Sequence, residues 1–389
     1  MAMNDDLSFI LNHLGEDREH GFNAVVPPIV QSGNFTYSTV DALRQAMRNE
    51  FDVPLYTRGA NPTVGMVRKK LAALEHAEDA LVFGSGSAAM AAAVLSFVKA
   101  GDHIVCVRKP YSWTGRLLNE LLERFNVSHT YVDGTDAENF RRAIVPQTRL
   151  FITESPNSIT FELQDLRAVA AIAKEHGILT VCDNSYSSPL FQHPIDLGID
   201  LVAHSGTKYL NGHSDVVCGV LAGSRGQIRQ VMAKEFMTLG AIPSPHDAWL
   251  LLRGLRTLEL RMHRSADSAE RVANFLEAHA KVAQVNWPFL ASFPQQALAK
   301  RQMERCAGLM SIRVKAEDMA GVERFCNGLR RFLMAVSWGG YESLQFPTAA
   351  TMDTRAPQGE LPWDLVRIYV GLEDPQALIA DLEQALARI

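Results

Sequence analysis

The chain has 389 residues, too many for one simple core and suited to two or three domains. Apolar residues make up 47% and the formal net charge is −5, which excludes a disordered chain and, with no long basic run, argues against a nucleic-acid partner. The five cysteines form no CxxC pair and the histidines show no HExxH or comparable spacing, so buried structural thiols are expected and no metal site.

The first residues, Met1-Ala2-Met3-Asn4-Asp5-Asp6, are acidic and lack the basic and apolar regions of a secretory leader. The longest apolar stretch, around Ala88–Val98, is too short and alanine-rich to span a bilayer. A soluble cytoplasmic protein with no membrane partner is expected.

Residues 1–50 read as an N-terminal arm with a short helix, punctuated by Pro27-Pro28 and Ser32-Gly33-Asn34. From 51 to 245 apolar strand-like runs alternate with helical segments. Strands are predicted over Ala80–Phe83, His103–Val107, Leu150–Thr153, Ile178–Cys182, Leu201–His204 and Val216–Leu221. Helices are predicted over Ala88–Lys99, Arg116–Phe125 and Leu166–His176. Such alternation implies an α/β fold with a mostly parallel central sheet and helices on both faces. The proline-marked segment Ala241–Pro245 ends the pattern. Residues 246–389 then read as an α+β C-terminal domain, beginning with a helical stretch from His246 to about His279, either one long helix kinked at Gly254 or two helices. Strands follow over Gly308–Val314, Leu333–Val336 and Leu365–Val370, and helices over Met319–Leu329 and Pro375–Arg388.

Ligands of parallel sheets bind at the carboxyl ends of the strands, and the chemically useful residues fall there. Asp183 closes Ile178–Cys182, and Lys208 follows Leu201–His204 within Ser205-Gly206-Thr207-Lys208. A lysine able to form a Schiff base, with an acid placed to keep a pyridine nitrogen protonated, is what pyridoxal phosphate chemistry requires. The glycine-rich turn Phe83-Gly84-Ser85-Gly86-Ser87 precedes a helix, so its amides suit a phosphate. It is not a Walker A loop, because no Gly-Lys-Ser/Thr follows. Tyr111, just after the strand His103–Val107, can stack on a planar ring. Arg58, in the polar loop Tyr56–Thr63, carries a donor fork suited to phosphate. Arg367 is a charge inside the apolar run Leu365–Val370 and calls for an anionic partner, for which an amino-acid carboxylate is the candidate.

Six segments in combination resemble the Cys/Met-metabolism PLP-dependent enzymes. They are Tyr56-x-Arg58-x-x-Asn61-Pro62-Thr63, Ser85-Gly86, Glu154-Ser155-Pro156, Asp183-Asn184, Ser205-x-Thr207-Lys208-Tyr209 and Ser337-x-Gly339-Gly340-x-Glu342-Ser343. The resemblance covers the chain from about residue 20 to the end. Within the family, Glu154–Thr160, Thr207–Asp215 and Ser337–Leu344 are most similar to bacterial cystathionine β-lyase. Many γ-acting members have Asn-Pro where this chain has Ser158-Ile159, and leucine at the place of Trp338. Cystathionine γ-lyases commonly carry glutamate at the place of Val336. Three positions depart from the β-lyase pattern: Asn61-Pro62-Thr63 follows the general family, bulky Trp113 follows Tyr111 and Ser112, and Tyr186 stands where some β-lyases have tryptophan; the substrate pocket is expected around Trp113, Tyr186, Trp249 and Trp338.

The resemblance implies a fold-type I, PLP-dependent transferase-like enzyme. By it, Lys208 holds the cofactor, Asp183 pairs with its ring nitrogen and Tyr111 stacks on the ring. Gly86, Ser87, Ser205 and Thr207 bind the phosphate, with Tyr56 and Arg58 contributed by a neighbouring subunit. The resemblance thus implies a homotetramer built from dimers that share active sites. Ser158, Ser337, Trp338 and Arg367 face a small sulfur amino-acid substrate. Lys208 and Tyr111 are the expected catalytic groups. The expected reaction is carbon–sulfur β-elimination, with L-cystathionine giving homocysteine, pyruvate and ammonia. The alternative is a γ-lyase or γ-replacement enzyme of the same family.

Overall fold

The computed structural model describes residues 6–352 and 361–389; the first five residues, on which part of the leader reading rests, lie outside them. Two sheets organise the chain. The first contains β1 (Asp79–Phe83), β2 (His103–Val107), β3 (Ser128–Val132), β4 (Thr148–Glu154), β5 (Leu179–Asp183), β6 (Leu201–Ser205) and β7 (Gly219–Gly223), in the order β1-β7-β6-β5-β4-β2-β3. All neighbours are parallel except β7, which runs antiparallel to both β1 and β6. The strands have the near-continuous apolar character of a sheet covered on both faces. Successive side chains of β1 enter different cores: Ala80 and Val82 one, Leu81 and Phe83 the other.

The second sheet contains β8 (Val282–Asn286), β9 (Leu309–Val314), β10 (Leu333–Met334), β11 (Leu344–Pro347) and β12 (Leu365–Tyr369), in the order β10-β11-β12-β9-β8. Its pairs are antiparallel except β10 with β11. One apolar cluster runs from Val82 and Val220 of the first sheet, through Leu251 and Met262, to Ile312 and Leu382. The two sheets therefore share a core, and this brings β12 to the mouth of the first sheet. Among the described residues no helix is long and apolar enough to cross a membrane.

The predicted strands appear with shifts of at most a few residues, and β3, β8 and β11 are additions. Ser128-His129-Thr130-Tyr131-Val132 forms β3 at the sheet edge, where polar and half-exposed side chains are tolerated, so its sequence lacks an apolar signal. The polar loop read over Tyr56–Thr63 ends two residues sooner, at Asn61. Asn61 caps a helix over Pro62–Leu74, its side chain accepting from Thr63 N while Pro62 occupies the first turn. Of the two readings of the stretch from His246, the structure has two helices, Pro245–Leu255 and Leu258–Ala278.

The break between those helices is held by Arg261, which is buried. Its Nη1 donates to the Tyr209 carbonyl at 2.8 Å, its Nη2 to the Gly254 carbonyl at 2.8 Å and its Nε to Thr257 Oγ1 at 3.1 Å. The guanidinium thus ties the segment after Lys208 to the helix break, and burial lowers its pKa to about 10. Replacing Arg261 by Met would take the donor from the Tyr209 carbonyl and leave the Gly254 carbonyl only its bonds from the turn around Thr257. Such a variant is expected to lose about 3 kcal/mol of stability, read as a lowered urea midpoint at fixed protein and cofactor concentration. An unchanged midpoint would contradict this role.

Candidate active site

Three adjacent parallel strands end together. In register, Glu154 of β4 lies opposite Asp183 of β5, and Asp183 lies opposite Ala203 of β6, two residues before Ser205. The chain then turns, with Lys208 N donating to the Ser205 carbonyl at 3.1 Å. A cavity of about 180 Å³ opens at these ends, lined among others by Gly86, Ser87, Tyr111, Asp183, Thr207 and Lys208. Ser205 also lines it. Seven residues that the sequence singled out for the cofactor therefore meet in one place.

One end of this cavity is the start of the helix Gly86–Leu95, a place suited to an anion. Ser85 caps it by accepting from Ala88 N at 3.1 Å, leaving the Gly86 and Ser87 amides without intrahelical partners. A Cβ on Gly86 would stand 2.8 Å from Ser205 Cα, so only glycine lets this helix reach the end of β6. Thr207 is less free than its position suggests. Its hydroxyl donates to the Cys218 carbonyl at 3.2 Å and accepts from Cys218 N at 3.0 Å.

At the opposite end Ser185 links two of the groups. Its N–H donates to Asp183 Oδ1 at 2.9 Å, and its Oγ accepts from Ser205 N at 2.7 Å. Lys208 Nζ lies 2.5 Å from Ser337 Oγ and 5.4 Å from the centre of the Trp338 ring. Ser337 holds φ at +80°, a left-handed conformation costly for serine, of the kind stored at functional sites. Next to it, a Cβ on Gly339 would come within 2.8 Å of Tyr209 N, so this loop is pressed against the backbone of the lysine segment. Burial, then the charge of Arg367, lowers the Lys208 amine to about 8, with Asp183 opposing. The neutral amine is therefore easier to reach near neutral pH than in a free lysine.

Arg367 reaches the site from β12. It donates to the Ser158 carbonyl at 3.3 Å and to the Ser337 carbonyl at 3.4 Å. Burial lowers its pKa to about 10, with Glu154 opposing. The guanidinium therefore joins the two segments expected to face the substrate. It is held by neutral carbonyls, and a carboxylate would be a stronger partner.

Glu154 is the residue that sequence reasoning passed over, quoting it only as part of a motif. Its Oε2 accepts from Tyr111 N at 2.5 Å and its Oε1 from Ser158 N at 2.9 Å. One buried carboxylate thus positions both the aromatic residue of the cofactor cavity and the loop that holds Arg367. Burial and the neighbouring Asp183 charge raise it to about 7 against the pull of those amides. The available signal was a charged residue closing an apolar strand, as Asp183 closes the next one. Burial, with the charge of Asp183, also raises the Tyr111 phenol, which therefore stays protonated at neutral pH.

Tyr56 and Arg58 are not in the cavity lining. Both are exposed, the guanidinium lying 5.5 Å from the Tyr56 ring centre. Two of the aromatics expected around the pocket are also elsewhere. Tyr186 is buried, its hydroxyl 3.2 Å from the Leu309 carbonyl, and Trp249 donates through Nε1 to the Pro27 carbonyl at 3.0 Å, fastening the N-terminal arm. Trp113 is 53% exposed, with Arg116 over its ring at 4.9 Å. All five cysteines are free and buried, and burial raises their thiols well above the usual range.

The Cys/Met metabolism PLP-dependent enzyme family model matches residues 9–387. The chain belongs to this family. It is 40% identical to an L-methionine gamma-lyase of Pseudomonas deceptionensis over 382 residues, covering 96% of this chain and 95% of that protein. It is 38% identical to a cystathionine gamma-synthase of Mycobacterium tuberculosis over 376 residues, covering 96% and 95%. The crystal structure of metB from Corynebacterium glutamicum superposes with a TM-score of 0.92 at 35% identity, covering 98% of each chain. The fold-type I reading and the cofactor, pyridoxal phosphate, stand with the family. The named relatives are γ-acting enzymes, which favours the alternative reaction over the expected β-elimination.

The cavity fits that cofactor: an anion seat at a helix start, an acid at the far side and a lysine of lowered pKa between them. Glu154→Gln keeps the side-chain size but leaves one of the two amides without an acceptor. That variant is expected to lose about 10- to 100-fold in kcat/KM, with its thermal midpoint little changed. Full activity in steady-state assays would remove Glu154 from the positioning role.

Proposed function

We propose that this enzyme acts on an L-amino acid bearing its leaving group at the γ-carbon, breaking or exchanging a carbon–sulfur bond there. The observation that carries the reading is near-full-length similarity to γ-lyases and γ-synthases at 37–40% identity. Pyridoxal phosphate, when bound, supplies the electron sink that makes the proton on the amino-bearing carbon, and then one on the neighbouring carbon, removable.

In the proposed site Lys208 anchors the cofactor, Asp183 sits against the ring nitrogen and Tyr111 against the ring face. Gly86 and Ser87 amides and the Ser205 hydroxyl hold the phosphate. Thr207 joins them only if its hydroxyl leaves the Cys218 carbonyl. Arg367 holds the substrate carboxylate beside Ser158, Ser337 and Trp338, exchanging two carbonyl contacts for a charged one. Once the substrate amine has displaced it from the cofactor, Lys208 would be free to take the proton from Cα and, after handing that proton on, the next from Cβ for γ chemistry. Tyr111, kept protonated by burial, gives its phenolic proton to the departing sulfur. Tyr56 and Arg58 complete a neighbouring copy's phosphate site, which accounts for their position outside this cavity and requires at least a dimer.

β-Elimination is the second reading. It is favoured by the β-lyase-like segments Glu154–Thr160 and Ser337–Leu344, whose Ser158 and Ser337 carbonyls both hold Arg367. Incubation of holoenzyme with L-cystathionine, and separately with L-methionine, followed by keto-acid identification, separates the two. 2-Oxobutyrate with cysteine or methanethiol is the expected result. Pyruvate with homocysteine would overturn the γ reading in favour of the second. Formation of cystathionine from an O-acylated homoserine and cysteine, without net keto acid, would narrow the γ reading to replacement.

A further inference from the structure

His76, His193 and Asp196 lie far apart in the sequence and together in the fold. His76 follows the helix Pro62–Leu74, while His193 and Asp196 belong to the connection between β5 and β6. The sequence reading expects no metal because no two histidines have ligand spacing; this trio escapes such a search because 117 residues separate the imidazoles (193 − 76). One potential ligand atom from each residue falls within 4.8 Å of the other two. The His76 and His193 rings are parallel, with centres 4.0 Å apart, and His76 Nδ1 is 2.7 Å from Asp196 Oδ2.

We propose that these three side chains form a binding site for a divalent transition-metal ion of the zinc class, separate from the catalytic cavity. Two imidazoles and one carboxylate are a donor set suited to zinc, copper or nickel, leaving further positions for water. His193 Nδ1 is buried and has no hydrogen-bond partner among the described residues, a deficit that a bound cation would relieve. His76 and Asp196 stay exposed, so an ion has access.

The residues beside the trio are fixed from within. Glu75, next to His76, pairs with His204 at 2.5 Å and accepts from Asn184 at 3.2 Å, all three buried. Gln192, next to His193, donates to the Ser155 carbonyl at 2.7 Å and to Asn184 Oδ1 at 2.8 Å. The donors therefore project from anchored backbone, the preorganisation a metal site needs. Ligand atoms of a tetrahedral zinc lie about 3.3 Å apart. Filling the site therefore requires the His76–Asp196 contact to open slightly and the stacked rings to turn.

The test is calorimetric titration of zinc into tag-free, chelator-washed holoenzyme, compared with His76→Asn and His193→Gln. Asparagine is chosen because His76 has φ of +56°, which asparagine tolerates. One zinc per chain is expected, with affinity falling about 100-fold or more in each variant. Zinc should also raise the thermal midpoint of the unaltered protein only. Retained cofactor absorbance checks that each variant is folded, and the exposed His76 variant suffices if the other fails. Absence of one-to-one binding, or equal affinity in the unaltered protein and His76→Asn, overturns the proposal.

Discussion

The candidate site depends on the side-by-side ending of β4, β5 and β6. Parallel strands in register deliver Glu154, Asp183 and Ser205 to one edge, and the turn after β6 returns Lys208 over them. Burial first, and then the charge of the half-buried Asp183 beside it, raise Glu154 toward neutrality. The arrangement persists because each acid has fixed donors: Tyr111 and Ser158 amides for Glu154, the Ser185 amide for Asp183. Lys208 and Arg367 supply the opposing charge.

The second sheet completes what the first cannot. A parallel sheet ends in a cavity suited to a cofactor but offers nothing to hold an amino acid over it. β12 brings Arg367, and the strained Ser337–Gly339 loop presses against Lys208. Close contact at both ends of the lysine segment, with Gly86 on one side and Gly339 on the other, leaves little room for side chains there. The shared core and the buried Arg261 keep that segment in place.

Much of this was legible in the sequence. Strands buried on both faces announce themselves as unbroken apolar runs, so β2, β5 and β6 were found nearly to the residue, and so were Asp183 and Lys208 at their ends. Edge strand β3, with β8 and β11 of the smaller sheet, carries a mixed sequence, and the places of these three follow from pairing partners that no local pattern reveals, whereas β9, β10 and β12 read as apolar runs. Glu154 was hidden because its importance lies in accepting from two backbone amides distant in sequence, which leave no mark on residue type. Tyr186 and Trp249 were misplaced for the opposite reason: aromatic residues are equally suited to cores and pockets, and only the fold tells which. The reaction was read from short segments beside the carboxylate site, whereas similarity over the whole chain points to γ-acting relatives.

The central claim is that Lys208 carries the cofactor. Borohydride reduction of the holoenzyme, followed by proteolysis and mass spectrometry, tests it directly. The account predicts the reduced pyridoxyl group on the peptide containing Lys208 and no other. Attachment to a different lysine would contradict the assignment and, with it, the roles given to Asp183, Tyr111 and Arg367.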